Sequence, residues 1–350
     1  MRLTMLGATG VAVSRLTLGA ANFGSYWGPH WTLEKAEAKR LVARSFEHGV
    51  RAIDTANVYN QGQSEIWLGE ILSELRVRHQ VTLSTKYGYL TNPDDRQSGG
   101  SGREPMRRAV EKSLRRLRTD TLDILYLHLW DRRTSVEETL SAAAELVAAG
   151  HIRAFALSNV PSWYLARVAL LCESAGLPGL AAVQLNYNLL TRHLELDFED
   201  LLRISGIDMI AWGPLSNGLL AGRYRINRRT KALVGRGRLT DAIFTTGAVD
   251  PFTDVVSRTL RELRKSARET GLKQAQVALA WLLSRNPPAS VVIGVSSEAQ
   301  LCEHIRASEF SLDPAIVARL DNASKPTYCY PQRFLEPDIQ ILVHGRDARQ

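Results

Sequence analysis

Cysteine is scarce and unpatterned: Cys172, Cys302 and Cys329 are scattered through 350 residues. An odd number of thiols without short spacings builds neither a disulfide framework nor a metal cluster. A reducing compartment with buried structural thiols is expected instead. Long apolar runs are also missing. No stretch approaches the length of a membrane span, and Met1 to Leu18 has no sustained apolar core of signal-peptide length. The expectation is a cytoplasmic protein with no membrane partner. There is no strand-to-helix nucleophile elbow and no metal-ligand spacing. The first turn between an apolar run and a helical stretch reads Gly19-Ala-Ala-Asn-Phe-Gly24, without the glycine spacing of a dinucleotide-binding open sheet.

What is present suits a large globular fold. Hydrophobic residues make up 45% of the chain, enough for a substantial core, and 23% charged residues in an interleaved pattern argue against disorder. The formal charge of +8 is concentrated. Arg223, Arg225, Arg228, Arg229, Lys231, Arg236 and Arg238 follow one another with no acidic residue between them. This segment reads either as a mobile loop near phosphates or as a plain solvated basic loop. The charge is local and no recognition motif accompanies it, so nucleic acid is not an expected partner.

Short apolar runs alternate with amphipathic stretches along the chain. Eight runs are strand candidates: Leu16–Ala20, Ala52–Thr55, Val81–Lys86, Leu122–His128, Ile152–Ser158, Ala181–Leu185, Ile207–Trp212 and Val291–Gly294. Helical periodicity fills the intervals, with a last helix starting near Glu298. Runs that are continuously apolar, not alternating, belong to strands covered on both faces, as in a parallel sheet. With the open dinucleotide-binding sheet disfavoured, the pattern predicts an α/β fold, a (β/α)8 TIM barrel. Arg2–Ser14 lies outside the repeat and reads as a β-hairpin plugging the N-terminal end. An extra C-terminal segment follows the last βα unit. No linker divides the chain, so one domain over 1–350 is expected.

In such a barrel, chemistry gathers at the C-terminal ends of the strands. Read in order, those ends offer Asp54, with Tyr59 in the loop behind it, then Lys86, His128, Ser158-Asn159, Gln184 and Trp212-Gly213-Pro214. Singly, a strand-end lysine is more often a surface charge and a buried histidine more often a core residue. Together they suit proton transfer. A phenol is a poor acid near neutrality, with a reference pKa of about 10, and a neighbouring ammonium lowers it. A carboxylate keeps that ammonium charged and oriented, and a histidine orients a carbonyl or relays the proton. No side chain supplies a hydride, so a nicotinamide cofactor is implied.

These motifs resemble the aldo-keto reductase family over about 3–331. The carriers are Asp54-Thr-Ala-Asn-Val-Tyr59, Ser84-Thr-Lys86, Leu127-His128-Leu-Trp-Asp131, Ser158-Asn159, Gln184-Leu-Asn-Tyr187-Asn188, Trp212-Gly-Pro-Leu-Ser-Asn-Gly-Leu-Leu220 and Ile293-Gly-Val-Ser-Ser-Glu-Ala-Gln-Leu301. The resemblance implies a catalytic tetrad of Asp54, Tyr59, Lys86 and His128, and an extended NADPH over the barrel mouth. It implies that Ser158, Asn159 and Gln184 hold the nicotinamide carboxamide and that Trp212 stacks on the ring. Gly213, Pro214, Leu215, Asn217 and Gly218 would lie along the pyrophosphate, with Arg223 from the basic segment. Gly294, Ser296, Ser297 and Gln300 would approach the adenosine and its 2′-phosphate. Two departures matter. Ser297 stands where many members have Arg or Lys, and His304 where many have Asn. Loss of that charge-assisted contact leaves NADH as an alternative donor.

The substrate is read as a small-molecule carbonyl, with Trp27, Tyr87 and Trp130 as pocket walls and Tyr26, Trp31, Tyr89, Tyr328 and Tyr330 as further candidates. Tyr187-Asn-Leu-Leu-Thr-Arg-His-Leu-Glu195 resembles a bacterial branch acting on secondary-metabolite sugars and ketones, which adds nucleotide-linked keto-deoxysugars to the candidates. Two alternatives share the same residues. One is an aldose or sugar-alcohol dehydrogenase running oxidatively. The other is a cofactor-binding, redox-sensing subunit resembling the potassium-channel β subunits.

Overall fold

The computed structural model describes the chain except residues 29–31, 177–178, 228, 236–238, 240–248, 286–287, 329, 336 and 345–350. Two short strands, β1 (Leu3–Met5) and β2 (Ala12–Ser14), form an antiparallel hairpin. The apolar runs that follow become β3 (Leu16–Gly19), β4 (Ala52–Asp54), β5 (Thr82–Tyr87), β6 (Leu122–Leu127), β7 (Ile152–Ser158), β8 (Ala182–Asn186) and β9 (Asp208–Trp212). A short ribbon, β10 (Arg225–Asn227) and β11 (Ala232–Val234), precedes β12 (Ser290–Ile293). Strands β3 to β9 pair in parallel in chain order, and β12 pairs with both β9 and β3, closing an eight-stranded barrel. All six residues of β6 are buried, as a strand needs when one face looks into the barrel and the other meets helices.

The connecting helices are α1 (Lys35–Glu47), α2 (Gln63–Leu75), α3 (Arg103–Leu117), α4 (Val136–Ala148), α5 (Ser162–Ala175), α6 (Leu194–Asp197), α7 (Glu199–Ser205), α8 (Asp254–Thr270), α9 (Gln274–Ser284) and α10 (Glu298–Ala307). Some of their starts are chemically marked. Ser135 accepts a hydrogen bond from the Glu138 amide ahead of α4, and Thr253 does the same for Val256 ahead of α8. Two further helices, α11 (Pro314–Ala323) and α12 (Pro337–His344), extend beyond the last one read from the sequence. The start of α11 carries a plain signal, Asp313 capping the Ala315 amide with Pro314 in the first turn. No helix among the described residues is long and apolar enough to cross a membrane.

The core has two layers. The larger lies between strands and helices and includes Leu83, Leu125, Leu157 and Trp281. The smaller fills the barrel, where Tyr126 is accommodated among Ala52, Ala154, Ala156 and Ala182. Leu6, Val11 and Val13 join this inner layer, so the N-terminal hairpin does plug one end of the barrel. It is pinned there by Gly7, whose amide donates to Asp208 Oδ2 (2.8 Å), and by Arg153, which donates to the Gly10 carbonyl (3.0 Å).

The reading of the basic segment as a mobile loop is corrected in part. Arg225–Asn227 and Ala232–Val234 form the β10–β11 ribbon, and Asn227 Oδ1 accepts from the Arg229 and Thr230 amides across its turn. That side-chain-to-backbone turn gives the chain a defined reversal. Arg228, Arg236 and Arg238 lie outside the described residues.

Candidate functional site

Period-two alternation of the strands builds the site. In β5, Lys86 and Ser84 point inward, so Leu83 and Tyr87 point outward. In β6, Ile124 and Tyr126 are inward, which sends His128 to the mouth. The register sets Asp54 opposite Ser84, Lys86 opposite Tyr126, Ser158 opposite Gln184 and Asn186 opposite Trp212. One ring of polar side chains therefore sits on the inner layer at the C-terminal ends.

Asp54 and Lys86 form a buried ion pair, 3% and 1% exposed as residues. Lys86 Nζ also donates to the Thr55 carbonyl (2.9 Å) and lies beside Tyr59, which helps to keep it charged. Asp54 Oδ1 accepts from Ser84 Oγ (2.9 Å) and Gln184 Nε2 (3.2 Å). Burial disfavours the ammonium, but Asp54 and Tyr59 outweigh it and hold Lys86 above the ordinary lysine pKa. The half-buried Tyr59 ring lies 5.2 Å from Lys86 Nζ and stands edge-on to Trp27 (5.5 Å) and His128 (5.6 Å).

His128 is buried, and its Nδ1 has no hydrogen-bond partner among the described residues. Burial first, and the Lys86 charge second, push its pKa well below the ordinary histidine value. The imidazole is therefore neutral at pH 7, able to hydrogen-bond a carbonyl without adding charge. Tyr89 packs edge-on against it at 4.8 Å.

Asn159 joins three strand ends. Its left-handed backbone (φ 51°) lets Nδ2 donate to the His128 carbonyl (2.9 Å) and Ser158 Oγ (3.0 Å), while Oδ1 accepts from Trp212 Nε1 (3.0 Å). The Trp212 indole is thus held in one orientation beside Ser158 and Gln184. Beyond it, Gly213, Pro214 and Leu215 lead into a tight turn where Ser216, Asn217 and Gly218 all have positive φ. A Cβ at Gly218 would meet Arg223 Cδ at 3.2 Å, so Arg223 lies directly over this turn. Its charge also reaches His304 in α10. The turn after β9 therefore meets the segment after β12, where Gly294 leads to Ser296 and Ser297. Ser297 caps α10 by accepting from the Gln300 amide (3.3 Å), and Gln300 Oε1 accepts from the Ser296 amide and hydroxyl (3.0 and 3.1 Å).

This surface fits a nicotinamide dinucleotide. It offers a fixed indole, amide and hydroxyl groups beside it, an orphaned imidazole nitrogen, and a glycine turn backed by an arginine.

Of the aromatic walls, Trp27 stands at Tyr59, while Trp130 packs edge-on against Trp163 (5.4 Å) beneath the Arg132 guanidinium. Tyr87 is a correction. Following Lys86 directly, it faces outward, is 1% exposed, and donates from its hydroxyl to the Ser101 carbonyl (3.2 Å). It is a core residue between barrel and helices, not a pocket wall. Tyr26 is exposed, Tyr330 packs against Phe334, Tyr328 lies near Lys325, and Trp31 lies outside the described residues. Sequence reasoning missed Asn60 and Tyr126. Tyr126, two residues before His128 on the inner face, bonds to Gln184, and strand parity would have found it.

His304 gives a pH prediction. Its burial, helped by Arg223 and opposed by Glu303, pushes its pKa down to about 4 from 6.5. Between these values the unfolded chain takes up a proton that the folded chain refuses. Stability is full above pH 6.5 and falls as pH drops towards 4, by about 3 kcal/mol in all from this residue. Urea unfolding at pH 7.5, 5.5 and 4.5 should show His304→Asn with a smaller acid loss than wild type. Equal losses would place the acid sensitivity elsewhere.

Comparison with known proteins agrees with this geometry. The model of the aldo/keto reductase family matches residues 15–325. The oxidoreductase YrpG of Bacillus subtilis is 32% identical over 336 residues, covering 92% of this chain and 95% of that protein. The aldo-keto reductase dtxS3 of Metarhizium robertsii is 31% identical, covering 88% and 87%. A norsolorinic acid reductase of Aspergillus flavus is 28% identical, covering 94% and 82%. A closed parallel barrel, an Asp–Lys–Tyr chain at its mouth and a family match over most of the length lead to one conclusion: the chain is an oxidoreductase and belongs to the aldo/keto reductase family.

Proposed function

We propose that this protein is a cytoplasmic, single-domain reductase that converts an aldehyde or ketone to an alcohol with NADPH. The observation that carries the reading is the row of side chains from Asp54 through its ion pair with Lys86 to the adjoining Tyr59, ending beside a neutral His128. When bound, the nicotinamide supplies the hydride. Tyr59 gives its phenolic proton to the carbonyl oxygen as the carbon is reduced, and the Lys86 ammonium stabilises the phenolate left behind. Asp54 keeps that ammonium charged in a buried place. His128 donates to the carbonyl oxygen and fixes its direction towards Tyr59. Ser158, Asn159 and Gln184 would hold the carboxamide, with Trp212 against the ring. Gly213, Pro214, Leu215, Asn217, Gly218 and Arg223 would flank the pyrophosphate, and Gly294, Ser296, Ser297 and Gln300 would take the adenosine end.

Arg223 supports NADPH over NADH. It lies over the Gly218 turn and its charge also reaches His304 in α10, so beyond the pyrophosphate, which both donors share, it would attract the 2′-phosphate that NADH lacks, in place of the Arg or Lys absent at Ser297. The names of the relatives, a norsolorinic acid reductase among them, support carbonyl reduction as the chemistry. Trp27, Tyr59, His128 and Tyr89 form a continuous aromatic edge, which favours a flat aromatic carbonyl.

The test is NADPH consumption against a panel of aromatic aldehydes, free sugars and a nucleotide-linked keto-deoxysugar, with NADH as the second donor. The expected result is turnover of the aromatic carbonyls, faster with NADPH. Preference for the nucleotide-linked sugar would move the substrate to that class. Oxidation of an aldose or sugar alcohol with no reduction would reverse the direction. Tight NADPH binding with no turnover of any carbonyl would overturn the proposal in favour of a redox-sensing subunit.

A further inference from the structure

Asn60, in the loop after β4, reaches across to the loop after β3. It is fully buried and left-handed (φ 47°, ψ 42°), and it follows Tyr59 directly. Its Nδ2 donates to the Ala21 carbonyl (3.0 Å) and its Oδ1 accepts from the Trp27 amide (3.1 Å). The loops are so close that a Cβ on Gly24 would lie 2.5 Å from Asn60 Cβ. Neighbouring bonds hold other parts of the same loop: Ser64 Oγ donates to the Ala20 carbonyl (2.7 Å), and Gln63 Oε1 accepts from the Ser25 amide (2.8 Å). Asn60 reaches the backbone of Trp27 itself, whose ring stands edge-on to Tyr59.

We infer that Asn60 is a positioning residue for substrate selection, holding the Trp27 wall at a set distance from Tyr59 through its two side-chain hydrogen bonds. The inference rests on the proposed reductase reading. The side-chain chemistry is specific. The position needs one donor and one acceptor on a short planar group, which an amide supplies. A carboxylate would set an acceptor against the Ala21 carbonyl. Glycine would keep the left-handed backbone without strain and release the loop. A bulky flat carbonyl must meet Trp27 and Tyr59 together, whereas a small aldehyde needs Tyr59 alone. Loss of the grip on Trp27 therefore changes the ratio between the two substrates.

Asn60→Gly is the variant to make, since its backbone conformation suits glycine. Two measurements test the inference. The first is hydrogen exchange at the Trp27 amide, which needs neither cofactor nor turnover. Exchange is expected to speed up by about tenfold or more in Asn60→Gly, because the amide loses its buried acceptor. Unchanged protection would overturn the inference. The second is KM and kcat for an aromatic aldehyde and for a small aliphatic one. The aromatic KM is expected to rise by about tenfold relative to the aliphatic KM, with the two kcat values changing in parallel. In a Trp27→Ala background the same substitution should shift that ratio no further. An unaltered ratio, or an effect that adds fully to Trp27→Ala, would overturn the inference. If wild type reduces neither aldehyde, the reductase reading fails while the exchange measurement still decides the role of Asn60 in holding Trp27.

Discussion

Tyr59→Phe is expected to lower kcat for carbonyl reduction by about three orders of magnitude or more, within the range that general-acid groups supply. NADPH affinity should stay within about twofold. The two halves of this expectation have separate physical origins. The substitution keeps the ring, and with it the edge contacts to Trp27 at 5.5 Å and His128 at 5.6 Å, so the loop after β4 retains its packing. The hydroxyl alone is lost, and with it the group that interacts with the Lys86 ammonium and the proton that the carbonyl oxygen requires. The groups assigned to the cofactor lie at the ends of β7, β8 and β9, in the turn after β9 and in the segment after β12, and Tyr59 is in none of these. Fluorescence titration with NADPH separates binding from turnover, and circular dichroism checks the fold. A variant that keeps more than a tenth of wild-type kcat would remove Tyr59 as proton donor.

Much of this site is legible because a parallel barrel gathers its chemistry at the C-terminal ends of its strands. Once eight apolar runs are recognised, the polar residues at their C-terminal ends fall at one mouth of the barrel, and Asp54, Lys86, His128, Ser158 and Gln184 are legible from that position alone; parity then assigns each to the inside or the outside. Strand-end position alone does not place Tyr87: following an inward lysine, it must point outward by strand parity. The β10–β11 ribbon escaped because its strands are short and lie in an arginine-rich stretch outside the βα repeat, where charge outweighs any apolar run, and its turn depends on Asn227 bonding to amides two and three residues ahead. Helix α11 announced itself with Asp313 and Pro314 but lay beyond the last expected βα unit. Asn60 could not be read at all. Its importance comes from contacts across 33 and 39 residues of sequence, and nothing in its local spacing separates it from any other polar loop residue.

The second large effect concerns the ion pair. Lys86→Met should abolish measurable turnover and also cost about 3–5 kcal/mol of stability, because it leaves a buried carboxylate without its counter-charge. Ser84 and Gln184 still donate to Asp54, but two neutral donors do not replace an ammonium at a site this buried. Asp54→Asn acts from the other side. Asp54 is the first of the two groups that hold the Lys86 pKa up against burial, so without it burial dominates and the pKa falls. In the wild type, the contribution of a raised lysine pKa to stability is complete below 10.5 and is lost only as pH rises past that value. In Asp54→Asn that loss should begin at lower pH, together with a decline in kcat as the ammonium deprotonates. The double variant Asp54→Asn/Lys86→Met buries no net charge, so it should recover most of the stability lost in Lys86→Met. It should recover none of the activity, since Tyr59 still lacks the neighbouring ammonium. Thermal unfolding and kcat measured on the three variants therefore ought to separate. If the double variant is as unstable as Lys86→Met, the cost lies in packing and not in the unpaired carboxylate. If Lys86→Met retains turnover, the phenol does not need the ammonium as its partner.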